Sequence, residues 1–193
     1  NEDYLTFDKS WNKHNLNVVA GASWYYSKTE KSELGAENFF DDYFEYNNMG
    51  VGTVRSKVGS DYTDNKMNSY YARINYNFDN RYLLGASFRE DGSSRFGLNN
   101  QYGFFPSFSL GWRISNEKFM QPVSSWLNNL KLRASYGEVG NDVYMVNGVQ
   151  QRFLYEPVWT QLANAYRFGS NQTVTGIYES QYPNYDVTWE RAR

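Results

Sequence analysis

The chain reads as all-β, a stretch of the wall of an antiparallel transmembrane β-barrel. Three observations predict this fold class. In the strands between Ser69 and Ile114 every second side chain is apolar and those between are mainly small or polar. The alternating segments are close to the length that crosses a bilayer as tilted strands, with aromatic residues at the ends of their apolar faces. Short turns also alternate along the chain with long polar connections, which is the rhythm of a barrel with short turns on one side and long loops on the other.

Each element follows from the two-residue period of a strand, which sends successive side chains to opposite faces. Asn1–Lys9 is the tail of a strand and Ser10–Asn15 (SWNKHN) a short turn. Leu16–Ser27 follows, with Leu16, Val18, Ala20, Ala22, Trp24 and Tyr26 on one face. Lys28–Lys66 is a long polar connection. In Met67–Phe78, Tyr70, Ala72, Ile74, Tyr76 and Phe78 oppose Tyr71, Arg73, Asn75 and Asn77. Asp79–Arg81 is a tight turn into Tyr82–Arg89, where Tyr82, Leu84, Ala86 and Phe88 oppose Gly85, Ser87 and Arg89. Glu90–Asn100 is a loop of turn formers. Gln101–Ile114 sets Pro106, Phe108, Leu110, Trp112 and Ile114 against Ser107, Ser109, Gly111 and Arg113. Ser115–Asn129 is a connection with room for a short helix. Leu130–Gly140 places Leu130, Leu132, Ala134 and Tyr136 against Lys131, Arg133, Ser135 and Gly137. Asn141–Val187 is the last long connection, expected to carry a hairpin near Gln150–Tyr155 and Thr173–Tyr178.

Placing Ser10–Asn15, Asp79–Arg81 and Ser115–Asn129 on the periplasmic side puts the three polar connections outside without dropping a strand. Tyr70 to Phe78, at roughly 3.3 Å per residue and a tilt of about 40°, spans roughly 20 Å of the membrane normal. The outer aromatic rim would be Trp24, Tyr26, Tyr70 and Phe104; the inner rim Tyr76, Phe78, Tyr82 and Trp112. The alternative with the same alternation is a soluble β-sandwich that binds carbohydrate. Connections as long as Lys28–Lys66 argue against so compact a domain.

Composition narrows the function classes. The formal charge is −2, from 19 Lys and Arg against 21 Asp and Glu, too balanced for a nucleic-acid binder. Cysteine is absent, which removes thiolate metal sites, disulfides and cysteine nucleophiles. Aromatics reach 19% of the chain, more than a small soluble core needs. No apolar run is long enough for a membrane-spanning helix, whereas a barrel needs only alternate residues to meet lipid. Asn1-Glu2-Asp3 has no signal-peptide character, and a strand begins again at Trp189–Arg193. An internal excerpt of a longer protein is expected.

The residues from Asn75 to Phe119, NYNFDNRYLLGASFREDGSSRFGLNNQYGFFPSFSLGWRISNEKF, resemble the signature region of the SusC/RagA-type TonB-dependent outer-membrane transporters of Bacteroidetes. LNNLKLRASYGEVGN (Leu127–Asn141), YPNYDVTWE (Tyr182–Glu190) and KHNLNVVAGASW (Lys13–Trp24) are similar to that family in order and spacing. The block from DGSSRFG to FFPS is the specific part; the long loops match nothing nameable. The resemblance implies a large barrel of about 22 strands, filled by a plug. Residues 1–193 would form part of its β-barrel domain, holding about six or seven strands, with the plug, signal peptide and remaining strands absent. It also implies multi-pass residence in the Gram-negative outer membrane and import of glycans or oligopeptides. The implied partners are TonB–ExbB–ExbD acting through the plug, a SusD-like surface lipoprotein, and outer-membrane lipid. No cofactor is implied.

Several side-chain groups invite chemistry. His14 is the only histidine and sits in a turn, so catalysis is not expected and a turn-lining role is. Asp41, Asp42 and Glu45 lack the order of a calcium loop and read as a solvated face. Phe39, Phe40, Tyr43, Phe44 and Tyr46 beside them would be costly to leave in water. They call for cover by a neighbouring loop, the lipoprotein or a ligand. Glu90–Gly97 lacks the end of a phosphate-binding loop; Arg95 is expected to pair with a carboxylate on an adjoining loop. Arg73, Asn75, Arg89, Arg113, Lys131 and Arg133 make the inner wall polar and basic, and are candidate contacts for plug or substrate. In plugged barrels such residues bond the plug or one another, or steer an acidic substrate. In the last loop Tyr155, Trp159, Tyr166, Phe168, Asn164 and Asn171 combine flat rings with amides, which suits a saccharide and equally suits loop packing.

Overall fold

The computed structural model describes every residue of the 193 except 44, 46, 170 and 171, and for 149, 168 and 172 the backbone alone. Phe44, Tyr46 and Asn171 of the sequence reading thus lie outside the described residues, as does the Phe168 side chain. Six strands form one sheet in sequence order: β1 (Glu2–Trp11), β2 (His14–Glu37), β3 (Val54–Phe78), β4 (Tyr82–Ser93), β5 (Tyr102–Arg113) and β6 (Lys131–Gly137). The chain divides into two compact units, Asn1–Tyr25 with Met67–Arg193, and Tyr26–Lys66; β2 and β3 contribute to both.

In the larger unit, turn chemistry sets the register. Trp11 pairs with His14 across a turn in which Asn12 has φ 49°. Phe78 pairs with Tyr82 across a turn in which Asp79 and Asn80 have φ 54° and 52°. Asn and Asp tolerate this left-handed region best among residues with a Cβ. The short helix expected after β5 is a pair of 3₁₀ turns, Ile114–Asn116 and Lys118–Val123.

The register carries the alternation straight across the sheet. Tyr76, Leu84, Leu110 and Ala134 form one apolar row, and Ile74, Ala86, Phe108 and Tyr136 another. Between them runs the polar row Asn75, Gly85, Ser109, Ser135, and beyond the second lies another, Arg73, Ser87, Ser107, Gly137. No described element covers the apolar face. Leu110 sits on β5, paired on both sides, yet is 59% exposed. A sandwich would bury that leucine under a second sheet, so the sandwich alternative fails.

Several expected boundaries differ, and β4 runs on to Ser93, past the expected end at Arg89. The polar connection Lys28–Lys66 is shorter than expected, because β2 continues to Glu37 and β3 begins at Val54. Within the unit Tyr26–Lys66, the Lys28 ammonium lies 5.4 Å from the Tyr62 ring centre and that of Lys66 5.9 Å from Tyr26. These strand extensions are polar and solvated on both faces, so no alternation marks them.

The last connection holds two hairpins. β7 (Val139–Asn141) is followed by β8 (Tyr144–Val146) paired with β9 (Val149–Gln151), then β10 (Val158–Phe168) paired with β11 (Gln172–Gln181). Thr173–Tyr178 does lie in a hairpin strand, but its partner is β10 and not Gln150–Tyr155. The strand expected over Leu130–Gly140 is split at Glu138 into β6 and β7, and β7 pairs with β12 (Glu190–Ala192).

Candidate functional site

At the turn end of the sheet, three consecutive connections are stitched by charge. Lys13 of the first turn pairs with Asp79 of the second at 3.0 Å, and Arg81 pairs with Asp79 and with Glu117 of the third at 3.2 Å. Glu117 accepts hydrogen bonds from the Trp112 indole at 3.1 Å and the Tyr82 hydroxyl at 2.8 Å. These two bonds, with Arg81 beside them, hold its carboxyl below the usual range. The Lys13 bond, helped by Arg81, does the same for Asp79. Tyr82 and Trp112 are thereby fixed with their polar tips turned off the end of the apolar face.

His14 belongs to this aromatic rim. It stacks on Trp11 at 5.1 Å, hydrogen-bonds the Tyr76 hydroxyl at 2.6 Å through Nδ1, and lies 4.9 Å from Phe78. The turn-lining role is therefore a ring-packing one on the apolar face.

The polar face is a wall of small and amide side chains. A concavity of about 580 Å³ spans it from β1 to β6, lined among others by Asp8, Asn17, Asn75, Gly85, Ser109 and Arg133. Asn75 donates to Asn17 at 3.3 Å and Asn17 to Asp8 at 2.6 Å. A side chain at Gly85 would meet the Ser109 hydroxyl at 2.4 Å, so glycine keeps the wall shallow there. A second concavity of about 360 Å³ continues along Arg73, Ser87, Ser107 and Gly137.

At the other end, this face closes into a dry cluster. Phe96, Phe105 and Trp189 are the buried hydrophobic residues of the described chain, with Met67, Tyr144 and Val187 packed around them. The Trp189 indole donates to the Gln101 carbonyl at 2.9 Å, and the Tyr144 hydroxyl to that of Thr188. Burial pushes the hydroxyls of Tyr144 and Tyr155 up. Asp142 accepts from Ser93 at 2.7 Å and pairs with Arg95 at 3.2 Å, the loop-to-loop pair expected for Arg95. Glycines let the rings approach: a Cβ on Gly140 would lie 2.1 Å from the Phe105 ring.

The candidate contact residues separate into groups. Arg89 is neutralised, bonding Asp91 at 2.7 and 2.9 Å and Ser69 at 3.0 Å. Arg73 and Asn75 face the concavities. Arg113 lies opposite Lys131, and Arg133 opposite Gly111, at the turn end of the polar face. Tyr155 is half-buried against Gly97 and bonds the Ser94 carbonyl at 3.4 Å, which makes it part of the loop packing. Trp159 and Tyr166 both sit exposed on β10 but do not share a face. Trp159 opposes Glu179, whereas Tyr166 opposes Val174, five positions away on β11 and hence on the other face. Tyr166 lies over Gly176 instead, on the face that also carries Tyr178. Asn164 bonds Thr173 at 2.6 Å.

In the unit Tyr26–Lys66, Phe39 approaches Gly52 while Phe40 is 98% exposed, so among the described residues of this unit none covers Phe40. The Asp41 carboxylate caps the Tyr43 amide at 3.1 Å. Among the described residues, no group of three His, Cys, Asp or Glu is placed to hold a metal.

Sequence reasoning missed Phe105, Phe96, Trp189 and Asp142. Phe105 left a signal, since it is an aromatic ring on the polar face between Gly103 and Ser107. Such a break in the alternation marks a place where that face meets protein and not water.

The sheet with one open apolar face, its aromatic rim and its loop cluster can be set beside known proteins. The family model described as TonB dependent receptor-like, beta-barrel, matches residues 1–193. The chain belongs to the TonB-dependent receptor β-barrel family. TonB-dependent receptor P39 of Formosa agariphila is 38% identical over 195 residues, covering 98% of this chain and 17% of that protein. TonB-dependent receptor SusC of Bacteroides thetaiotaomicron is 34% identical over 129 residues, covering 67% of this chain and 12% of SusC. A structure of the RagAB peptide transporter superposes with a TM-score of 0.78 at 26% identity, over 98% of this chain and 20% of that one. The "open-open" state of the RagAB peptide importer gives 0.69 at 29% identity, over 98% and 19%. The chain thus spans less than a fifth of the length of these two TonB-dependent receptors and about a fifth of the RagAB chain, and the six-stranded sheet is a segment of such a barrel.

Proposed function

We propose that the chain is wall and loop of an outer-membrane active transporter that imports glycans or oligopeptides. The observation that carries this reading is the uncovered apolar face of the sheet, with Leu110 59% exposed on a central strand, backed by a polar concave face. Lipid is the solvent that makes such an exposed face stable, because only alternate residues meet it and every backbone group is paired within the wall. The likeness to SusC and to the RagAB peptide importer supports import as the use of the inner face.

On this reading the longer protein carries a plug that contacts TonB–ExbB–ExbD, and a SusD-like lipoprotein sits over the loop end. The turn end, with Lys13, Asp79, Arg81 and Glu117, faces the periplasm. The exposed Phe40 then finds its cover in the lipoprotein or a ligand. The reading predicts that the full-length protein fractionates with outer membranes and needs detergent for extraction. It also predicts that deleting its gene abolishes growth on one class of glycan or peptide, restored only with functional TonB. Recovery from the soluble fraction, or growth unaffected on every polymer tested, would overturn it.

A further inference from the structure

Arg113, Lys131 and Arg133 stand together on the polar face at the turn end of β5 and β6. Arg113 and Lys131 are direct cross-strand partners, Arg133 is the next polar-face residue along β6, and the Lys131 stem lies 3.3 Å from where a Cβ on Gly111 would sit. Arg113 and Arg133 both repel the Lys131 ammonium. Like charges opposite one another in a sheet destabilise it.

Several arginines elsewhere in this chain stand against carboxylates. Arg81 has Asp79 and Glu117, Arg89 has Asp91, Arg95 has Asp142, and Arg191 has Glu138. Among the described residues no carboxylate pairs with any of the three clustered cations. The acid on the same concave wall, Asp8, lies on β1 at the opposite edge of the sheet and is held by Asn17 at 2.6 Å. Lys131 and Arg133 line the concavity of about 580 Å³, whose other charged lining residues are Asp8 and Lys9 on β1 and whose remaining polar lining is mostly amide and hydroxyl. Uncompensated cations on a concave, partly desolvated wall attract an anion, and arginine's planar fork suits a carboxylate in particular.

We propose that Arg113, Lys131 and Arg133 form a carboxylate-binding station for cargo on the periplasmic half of the pore wall. The proposal rests on the importer reading and adds its substrate class: an acidic oligopeptide or a uronate-bearing glycan. The neutral amide and hydroxyl wall beside the station would hydrogen-bond the cargo without fixing its charge.

The test uses the full-length transporter in detergent, titrated calorimetrically with triglutamate and trigalacturonate and, as uncharged counterparts, triserine and trigalactose, both peptides being N-acetylated and C-amidated. One acidic probe is expected to bind more tightly than its counterpart, and which one responds tells peptide from glycan. Arg133→Gln and Lys131→Gln should each weaken that probe by about tenfold, the usual scale of a lost charge-assisted bond. Lys57→Gln, in the unit Tyr26–Lys66, should change it little. The proposal is overturned if neither acidic probe binds better than its counterpart, or if the substitutions leave its affinity unchanged. Lowered thermal stability with unchanged probe affinity would assign the cations to the plug or a neighbouring strand, and also overturns it. Growth-linked import that persists in the Gln variants without charge preference would sink the station alone. Absence of any import would sink the importer reading itself.

Discussion

The two ends of the sheet are held by different physics. The loop end is a dry cluster of Phe96, Phe105 and Trp189, brought together from three separate segments and admitted by glycines. The turn end is a wet network in which Lys13, Asp79, Arg81 and Glu117 link adjacent turns by ion pairs. Burial of aromatic rings contributes far more than partly exposed ion pairs. The loop end should therefore be the rigid one, and the turn end the one that adjusts.

The sharpest way to break this comparison is to empty the dry cluster. Phe105→Ala in the full-length protein should cost about 3–5 kcal/mol of local stability, the usual range for a buried aromatic. Limited proteolysis of the segments around Arg95 and Tyr155 would read it as accelerated nicking. Gly140→Ala tests the same packing from the other side, since its Cβ would lie 2.1 Å from the Phe105 ring. Overpacking of this kind costs about 1–3 kcal/mol, so the melting temperature should fall by less than for Phe105→Ala. Asp142→Asn removes the charge that Arg95 and Ser93 share, with an expected cost of about 1–3 kcal/mol. The double variant with Arg95→Gln should cost less than the sum of its parts.

How much of this was legible in the sequence also divides by end. The turn end was readable because its determinants are local: Asp79-Asn80-Arg81 is a contiguous turn, and the rim residues Tyr76, Phe78, Tyr82 and Trp112 follow from alternation. Glu117, which ties Tyr82 and Trp112 together, was hidden in a connection with no periodicity. The loop end was hardly readable. Asp142 meets Ser93 and Arg95 from 49 and 47 residues away, and Trp189 meets Gln101 from 88. No pattern in one dimension names both partners of such contacts; the traces were Phe105 out of phase and Arg95, whose charge called for an acid on an adjoining loop without saying which. The strands beyond Ser27 and before Met67 were invisible for another reason: with neither lipid nor core on either side, pairing persists while the hydrophobic pattern disappears. Of the candidate site, the basic wall was legible as a face, but only the side-chain geometry revealed that Arg89 bonds Asp91 whereas, among the described residues, no carboxylate pairs with Arg113, Lys131 or Arg133.

The smallest effect belongs to the wet end. The carboxyls of Asp79 and Glu117 are held below their usual range, so their contribution is complete above that range and is lost as pH falls through the lowered values. Acidification below about pH 4 should loosen the turns while leaving the loop cluster intact. Fluorescence of Trp112, whose indole bonds Glu117, should change over that window, and the Glu117→Gln variant should lack the change.

The central claim, that one face of this sheet meets lipid and the other the pore, is tested most directly by scanning β5. Single cysteines from Phe105 to Arg113, in a cysteine-free full-length protein in native membranes, would carry a nitroxide probed by lipid-soluble oxygen and by a water-soluble nickel chelate. The account predicts a strict two-residue period, with positions 108, 110 and 112 reached by oxygen and 107, 109 and 111 not. Equal access of the nickel chelate to Leu110 and Ser109 would contradict it.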